Sequence, residues 1–183
     1  MNEKIKINID TSSVTSPYKE VAKDLELNLQ FVNDVFADFL EKKTLIKDYS
    51  INGLIEIDVT LVSDREIQQL NFEYRNKNKS TDVISISMYE NFRVQWIENQ
   101  LPMVHLGDIF ISLETAERQS KEEGISLLDE LIELLIHGVL HLFGFDHEIS
   151  EEEMDLMYQW ERDIYDHYQA YALKSKPVDD KES

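Results

Sequence analysis

Leu54-Ile-Glu-Ile-Asp-Val-Thr-Leu-Val62 places Ile55, Ile57, Val59 and Leu61 at alternate positions, with polar Glu56, Asp58 and Thr60 between them. Strand side chains point alternately to the two sides of a sheet, so this pattern predicts a strand with one buried and one wet face. Toward the N-terminus, Lys4 to Asp10 repeats the alternation with Ile5, Ile7 and Ile9. Between the two strands, Pro17 to Thr44 carries Val21, Leu25, Leu29, Val32, Phe36 and Leu40 at three-to-four spacing, a long amphipathic helix with proline near its first turn and Leu27 and Phe39 widening its stripe. Toward the C-terminus, Ser63 and Glu66 form a capping box that opens a short helix through Leu70 and Phe72, and the polar run Tyr74 to Ser80 reads as a loop. Val83 to Met88 and Leu106 to Ser112 read as two further strands. Tyr89 to Val104 fits a hairpin, because Phe92, Val94 and Trp96 alternate, or a flap.

Three helices follow. Glu114 to Glu123 is polar and stops at Gly124, Leu127 to Phe143 is apolar and stops at Gly144, and Ser150 with Glu153 opens a last helix by a second capping box. Met154, Met157, Ile164, Tyr165 and Tyr168, with Trp160, form its core stripe. The order strand, helix, strand, helix, strand, strand, then helices predicts an α+β fold, an α/β sandwich with a small mixed sheet of about four strands. A single domain is expected over residues 1–173, with a frayed tail over 174–183.

The chain has 183 residues, 30% of them charged and 42% apolar, enough for one sizeable core. It has no cysteine, which excludes disulfides, thiolate nucleophiles and cysteine zinc sites, so any metal must rest on His, Asp or Glu. The stretch Leu134 to Phe145 is broken by two histidines and is shorter than the roughly 20 residues a membrane span needs. Neither a signal peptide nor a membrane span is read, and a cytoplasmic location without membrane association is expected. The 37 acids against 18 bases give a net charge of −19, a sign that opposes nonspecific binding to a polyanion.

Three of the five histidines lie in His137-Gly-Val-Leu-His141-Leu-Phe-Gly144-Phe-Asp-His147. His137 and His141 are four apart, so on a helix they share a face one turn apart. Gly144 supplies the left-handed residue that ends the helix and turns the chain back, bringing His147 toward the same point. Desolvating two imidazoles on the most apolar helix costs about 1–3 kcal/mol each unless something binds them. Three histidines would leave a fourth position of a tetrahedral zinc for water, the arrangement of a catalytic site. His105 and His167 lack sequence neighbours of this kind and read as satisfied core histidines. The same spacing occurs in metzincin proteases, which carry Glu after the first histidine as general base. Here that residue is Gly138, which ranks a zinc peptidase last among the readings.

This histidine segment resembles the signature of the YbeY-type ribosomal RNA maturation factors, departing at Phe145 where the family has Tyr. Leu70-Asn-Phe-Glu-Tyr-Arg75-Asn-Lys77-Asn-Lys79-Ser-Thr81-Asp82-Val83 is similar to a second family segment, departing at Asn78 and Ser80. Leu106-Gly-Asp108-Ile is similar to a third. The resemblance runs from about Ile5 to Tyr165. It implies one Zn2+ per chain on His137, His141 and His147, with other divalent transition metals as alternatives, and a functional role for Arg75. It also implies a cytoplasmic metal-dependent endoribonuclease, single-strand specific, acting on the 3′ end of 16S ribosomal RNA and in ribosome quality control. The ribosome or its proteins are the expected partners, and DNA is not. The alternative in another class is a ribosome-assembly factor with a mainly structural metal.

Arg75, Lys77 and Lys79 fall in a run without acids, whereas residues 121–183 hold 17 acids and 5 bases, so a local phosphate grip is compatible with the overall charge. Asp108 and Asp146 are candidates to orient the imidazoles. Asp82 reads as a local cap that fixes the Arg75 loop. Glu130 and Glu133 lie roughly on the histidine face; they read as partners of the helix dipole, with reach toward the site as the alternative.

Overall fold

In this computed structural model the described residues are 5–42, 53–89, 102–145 and 150–175. They form four strands, β1 (Ile5–Asp10), β2 (Leu54–Val62), β3 (Val83–Ser87) and β4 (Met103–Ser112), and five helices. The helices are α1 (Lys19–Lys42), α2 (Asp64–Arg75), α3 (Leu113–Glu123), α4 (Leu127–Leu142) and α5 (Glu151–Ser175). The sheet order is β1-β2-β4-β3, with β1, β2 and β4 parallel and β3 antiparallel at the edge. The fold is thus α+β with a mixed four-stranded sheet, as the element order predicts. No described helix is long and apolar enough to cross a membrane. Of Tyr89 to Val104, read as hairpin or flap, residues 90–101 lie outside the described residues, as do 176–183, and Met103 and Val104 belong instead to β4.

The alternation of β2 holds: Ile55, Ile57, Val59 and Leu61 are buried, and Asp58 is exposed. β4 departs from simple alternation. Its register against β2 slips between Glu56/Ile57 and His105/Gly107, which is a β-bulge. Before the bulge the even residues Val104 and Leu106 are buried; after it the odd residues Ile109 and Ile111 are. One extra residue therefore keeps all four apolar side chains in the core and puts His105 and Asp108 together on the other face. Gly107 makes the bulge possible, since at φ +155° a Cβ there would stand 2.3 Å from the Ile86 carbonyl oxygen of β3.

Helices α1 and α4 pack on the sheet, and α5 packs on both of them. Phe36, Leu25, Leu131, Ile132, Met157 and Ile164 are essentially inaccessible. Phe39 meets Trp160 edge-on at 4.5 Å, joining α1 to α5. Leu27, assigned to the α1 stripe, is 64% exposed. It stands two residues from both Leu25 and Leu29, about 200° around the helix, and so points away from the core they face. Gly138 is the point of closest approach between α4 and the sheet, with an added Cβ lying 2.9 Å from Ile109 Cγ2. Ser85 of β3 donates to the Gly138 carbonyl at 3.0 Å, which fixes the height of α4 above the β3/β4 edge. The C-terminal half of α4 and its histidines sit over that edge.

Candidate functional site

Helix α4 ends as expected. Gly144 is left-handed at φ 83°, its N–H donates to His141 O at 2.9 Å, and Phe145 N–H donates to Leu140 O at 3.1 Å. These are the two bonds of a Schellman cap, and buried Phe145, as the residue after glycine, supplies the apolar contact that goes with them. Its ring lies 4.7 Å from Trp160, tying the helix end to α5. His147 and Asp146 lie outside the described residues.

His137 and His141 do share a face. Their rings meet edge-on with centroids 4.5 Å apart, and the two Nε2 atoms are 3.0 Å apart. Nδ1 of His137 lies 2.6 Å from Glu161 Oε1 of α5. A carboxylate there accepts a hydrogen bond from Nδ1–H, and in that tautomer the Nε2 lone pair of the ring is directed toward His141. Nitrogens sharing one tetrahedral ion at 2.0–2.1 Å would stand about 3.3 Å apart, so a small adjustment would let both imidazoles hold one ion. The donor set, neutral nitrogen with a carboxylate behind it, suits zinc and its transition-metal neighbours.

Glu161 is a residue that the sequence reading does not identify. Its signal was present: Met157, Ile164 and Tyr168 form the buried stripe of α5, and Glu161 is the acid at four and three residues from the first two. An acid on a core stripe needs a partner, and His137 is that partner. Asp108, expected to orient the imidazoles, does not. The β4 bulge turns it to the face opposite α4, where His105 Nε2 is 3.6 Å away. His105 Nδ1 is 3.9 Å from Asp58. These three bring ligand atoms within 4.8 Å of one another, a second group that could hold a metal ion. His105 is thus not a core histidine. Neither is His167, which is exposed and faces the Asp163 carbonyl at 2.6 Å.

The cationic segment is built from α2. Ser63 caps that helix with the full reciprocal box predicted for it, and its C-cap Asn76 is left-handed at φ 55°. Tyr74 and Arg75, assigned to a loop, are its last turn. The loop beyond is held by Asn71, a buried residue missed in the sequence reading: its Nδ2 donates to Lys79 O at 2.8 Å, and its carbonyl accepts from Lys77 N at 3.2 Å. Arg75, Lys77 and Lys79 are all exposed, and none forms an ion pair among the described residues. Asp82 stays local, as expected. It accepts from Thr81 Oγ1 at 2.9 Å, Val83 N at 2.8 Å and Gln119 Nε2 at 2.9 Å. Burial pushes its pKa up, but these hydrogen bonds outweigh that and hold it below the usual carboxylate value.

Arg75, Lys77 and Lys79 line one cleft of about 790 Å³ with His137 and His141. Residues 58–66 positions apart in sequence thus converge on one space that holds both the cations and the imidazoles. Such a space can bind an anion between a guanidinium and two imidazoles that could hold a metal.

A family model described as endoribonuclease YbeY matches residues 17–169. The chain is 34% identical over 141 residues to endoribonuclease YbeY of Sulfurihydrogenibium sp., covering 77% of this chain and 84% of that one. It is 42% identical over 154 residues to endoribonuclease YbeY of Bacillus pumilus, covering 82% and 87%. A solution structure of a Thermotoga maritima protein shares the fold at TM-score 0.52 and 21% identity, covering 98% of this chain and 99% of that one. The convergence of the histidine helix and the cationic segment, together with matches over most of the chain, leads to one conclusion: this chain belongs to the family of endoribonuclease YbeY.

Proposed function

We propose that the protein is a zinc-dependent, single-strand-specific endoribonuclease that acts in the cytoplasm on the 3′ end of small-subunit (16S) ribosomal RNA and in ribosome quality control, with the ribosome as partner. The observation that supports this best is the single cleft shared by His137, His141 and Arg75. The relatives' names add the reaction class. In this reading His137, His141 and His147 hold the zinc, which as a Lewis acid would polarise a phosphate oxygen or acidify a water.

The chain's own residues supply the rest. Arg75 clamps the non-bridging oxygens of the scissile phosphate in a bidentate fork, where negative charge grows in the transition state. Lys77 and Lys79 act as point charges on flanking phosphates. Glu161 keeps the His137 proton on Nδ1 and so keeps Nε2 available as a ligand. Gly138 speaks against peptide hydrolysis, because a side chain there would point at Ile109 in the sheet and could not serve as a base.

The test is cleavage of single-stranded and structured RNA by purified protein of measured metal content. Cleavage is expected to vanish in His141→Ala and to slow steeply in Arg75→Ala. Unchanged cleavage in His141→Ala would overturn the metal mechanism.

A further inference from the structure

A second cavity, about 500 Å³, lies behind the histidine helix and shares His137 with the cleft. Glu123, at the end of α3, and Glu130 and Glu133, in the first two turns of α4, line it. Carboxylate oxygens of the three lie within 4.8 Å of one another. Glu130 is only 5% exposed, yet its carboxylate has neither a hydrogen bond nor an ion pair among the described residues. Arg162 lines the same cavity without forming an ion pair to any of the three.

A buried carboxylate without a partner is costly, and two more carboxylates beside it add repulsion. Two resolutions are available in principle. Glu130 can keep a proton, which leaves Glu123 and Glu133 charged beside it, or one cation can serve all three carboxylates. Ligands at about 2.0–2.6 Å from one ion stand roughly 3–5 Å from each other. Ligand atoms of the three glutamates all within 4.8 Å of one another are compatible with that span, so the cation meets all three charges where the proton meets one. The chemistry is all oxygen and triply anionic, which selects a hard divalent ion over the softer metals that imidazole favours. The cavity has room for the waters such an ion keeps.

We propose that Glu123, Glu130 and Glu133 bind a hard divalent cation of the magnesium and manganese class, in a site distinct from the histidine pair. The ion joins the end of α3 to the start of α4, the helix that carries His137 and His141. The site stands whether or not zinc occupies the histidines, because none of its ligands belongs to that set.

The probe is Mn2+ titrated into full-length protein whose resident metal has been measured and left in place, with free Mn2+ read by electron paramagnetic resonance. One saturable Mn2+ per chain is expected, weakened at least tenfold in Glu130→Gln and in Glu123→Gln. The second variant alters an exposed side chain, so loss of binding there cannot be ascribed to a collapsed core. Asp58→Asn, which alters the acidic group on the opposite face of the sheet, is expected to bind as the parent does. Absence of saturable binding overturns the proposal. So does binding that survives both glutamate variants, or binding that is lost in Asp58→Asn.

Discussion

Glu161 Oε1 stands 2.6 Å from Nδ1 of His137, across the interface between α5 and α4. The contact links the C-terminal helix to the chemistry of a helix it otherwise only packs against. A carboxylate behind an imidazole fixes its tautomer and raises its basicity as a ligand.

Removing that carboxylate should weaken metal binding without abolishing it. Glu161→Ala is expected to lower affinity by about 10–100-fold. Glu161→Gln, whose amide oxygen can still accept from Nδ1–H, should lose less. Competition with a chromogenic chelator measures both, and affinity equal to the parent's in Glu161→Ala would remove Glu161 from this role.

Arg75 is exposed at the end of α2 and has no ion pair among the described residues, so its replacement should spare the fold. Arg75→Ala is expected to slow RNA cleavage by about 10²–10³-fold, the size associated with losing one transition-state donor. Arg75→Lys keeps the charge but not the planar fork and should recover only part of the rate. Equal rates for Lys and Arg would mean that charge alone is used.

Gly138 is required by packing. An added Cβ would stand 2.9 Å from Ile109 Cγ2, 3.1 Å from Ile109 Cδ1 and 3.1 Å from Ser85 Oγ. The helix must then rise from the sheet, carrying His137 with it. Gly138→Ala is expected to cost about 1–3 kcal/mol in chemical denaturation, the usual range for overpacking. A variant as stable as the parent would show that the helix yields without strain.

What could be read from residues alone followed from local rules. The alternation of β2, the capping box at Ser63 and the stop at Gly144 are each decided within a few residues, and all three appear as expected. The pairing order β1-β2-β4-β3 was not legible, because no local pattern says which strand lies beside which. The bulge at Gly107 was missed for a related reason: Val104, Leu106, Ile109 and Ile111 break period two, and the break is resolved only by the register against β2. That single residue sets Asp108 beside His105, on the face of the sheet away from α4. The convergence of Arg75 with His137 and His141 came from matching whole segments to a known family, since the physical contact is made by packing α2 and α4 around β3. Glu161 depended on the placement of α5, which its own pattern describes only as an amphipathic helix.

Glu130 gives a pH dependence with a definite sign. Burial, followed by the charges of Glu123, Glu133 and Asp82, pushes its pKa up from 4.5 to about 7. The folded protein therefore holds this proton where the unfolded chain has released it. Stability must fall as pH rises between 4.5 and about 7, and the penalty is complete above that range. At about 1.4 kcal/mol per unit the full shift would be worth about 3.5 kcal/mol, and solvent that reaches the carboxylate through the cavity lowers this. In metal-free protein, Glu130→Gln should equal the parent near pH 4.5 and exceed it increasingly toward pH 8. Taking the difference between the two proteins cancels titrations common to both, including those of the histidines. Denaturation midpoints across this pH range measure it, and a difference that stays flat would show that Glu130 is ionised at little cost. Adding Mg2+ at pH 8 should stabilise the parent more than the variant and narrow the gap, because only the parent keeps all three carboxylates to neutralise.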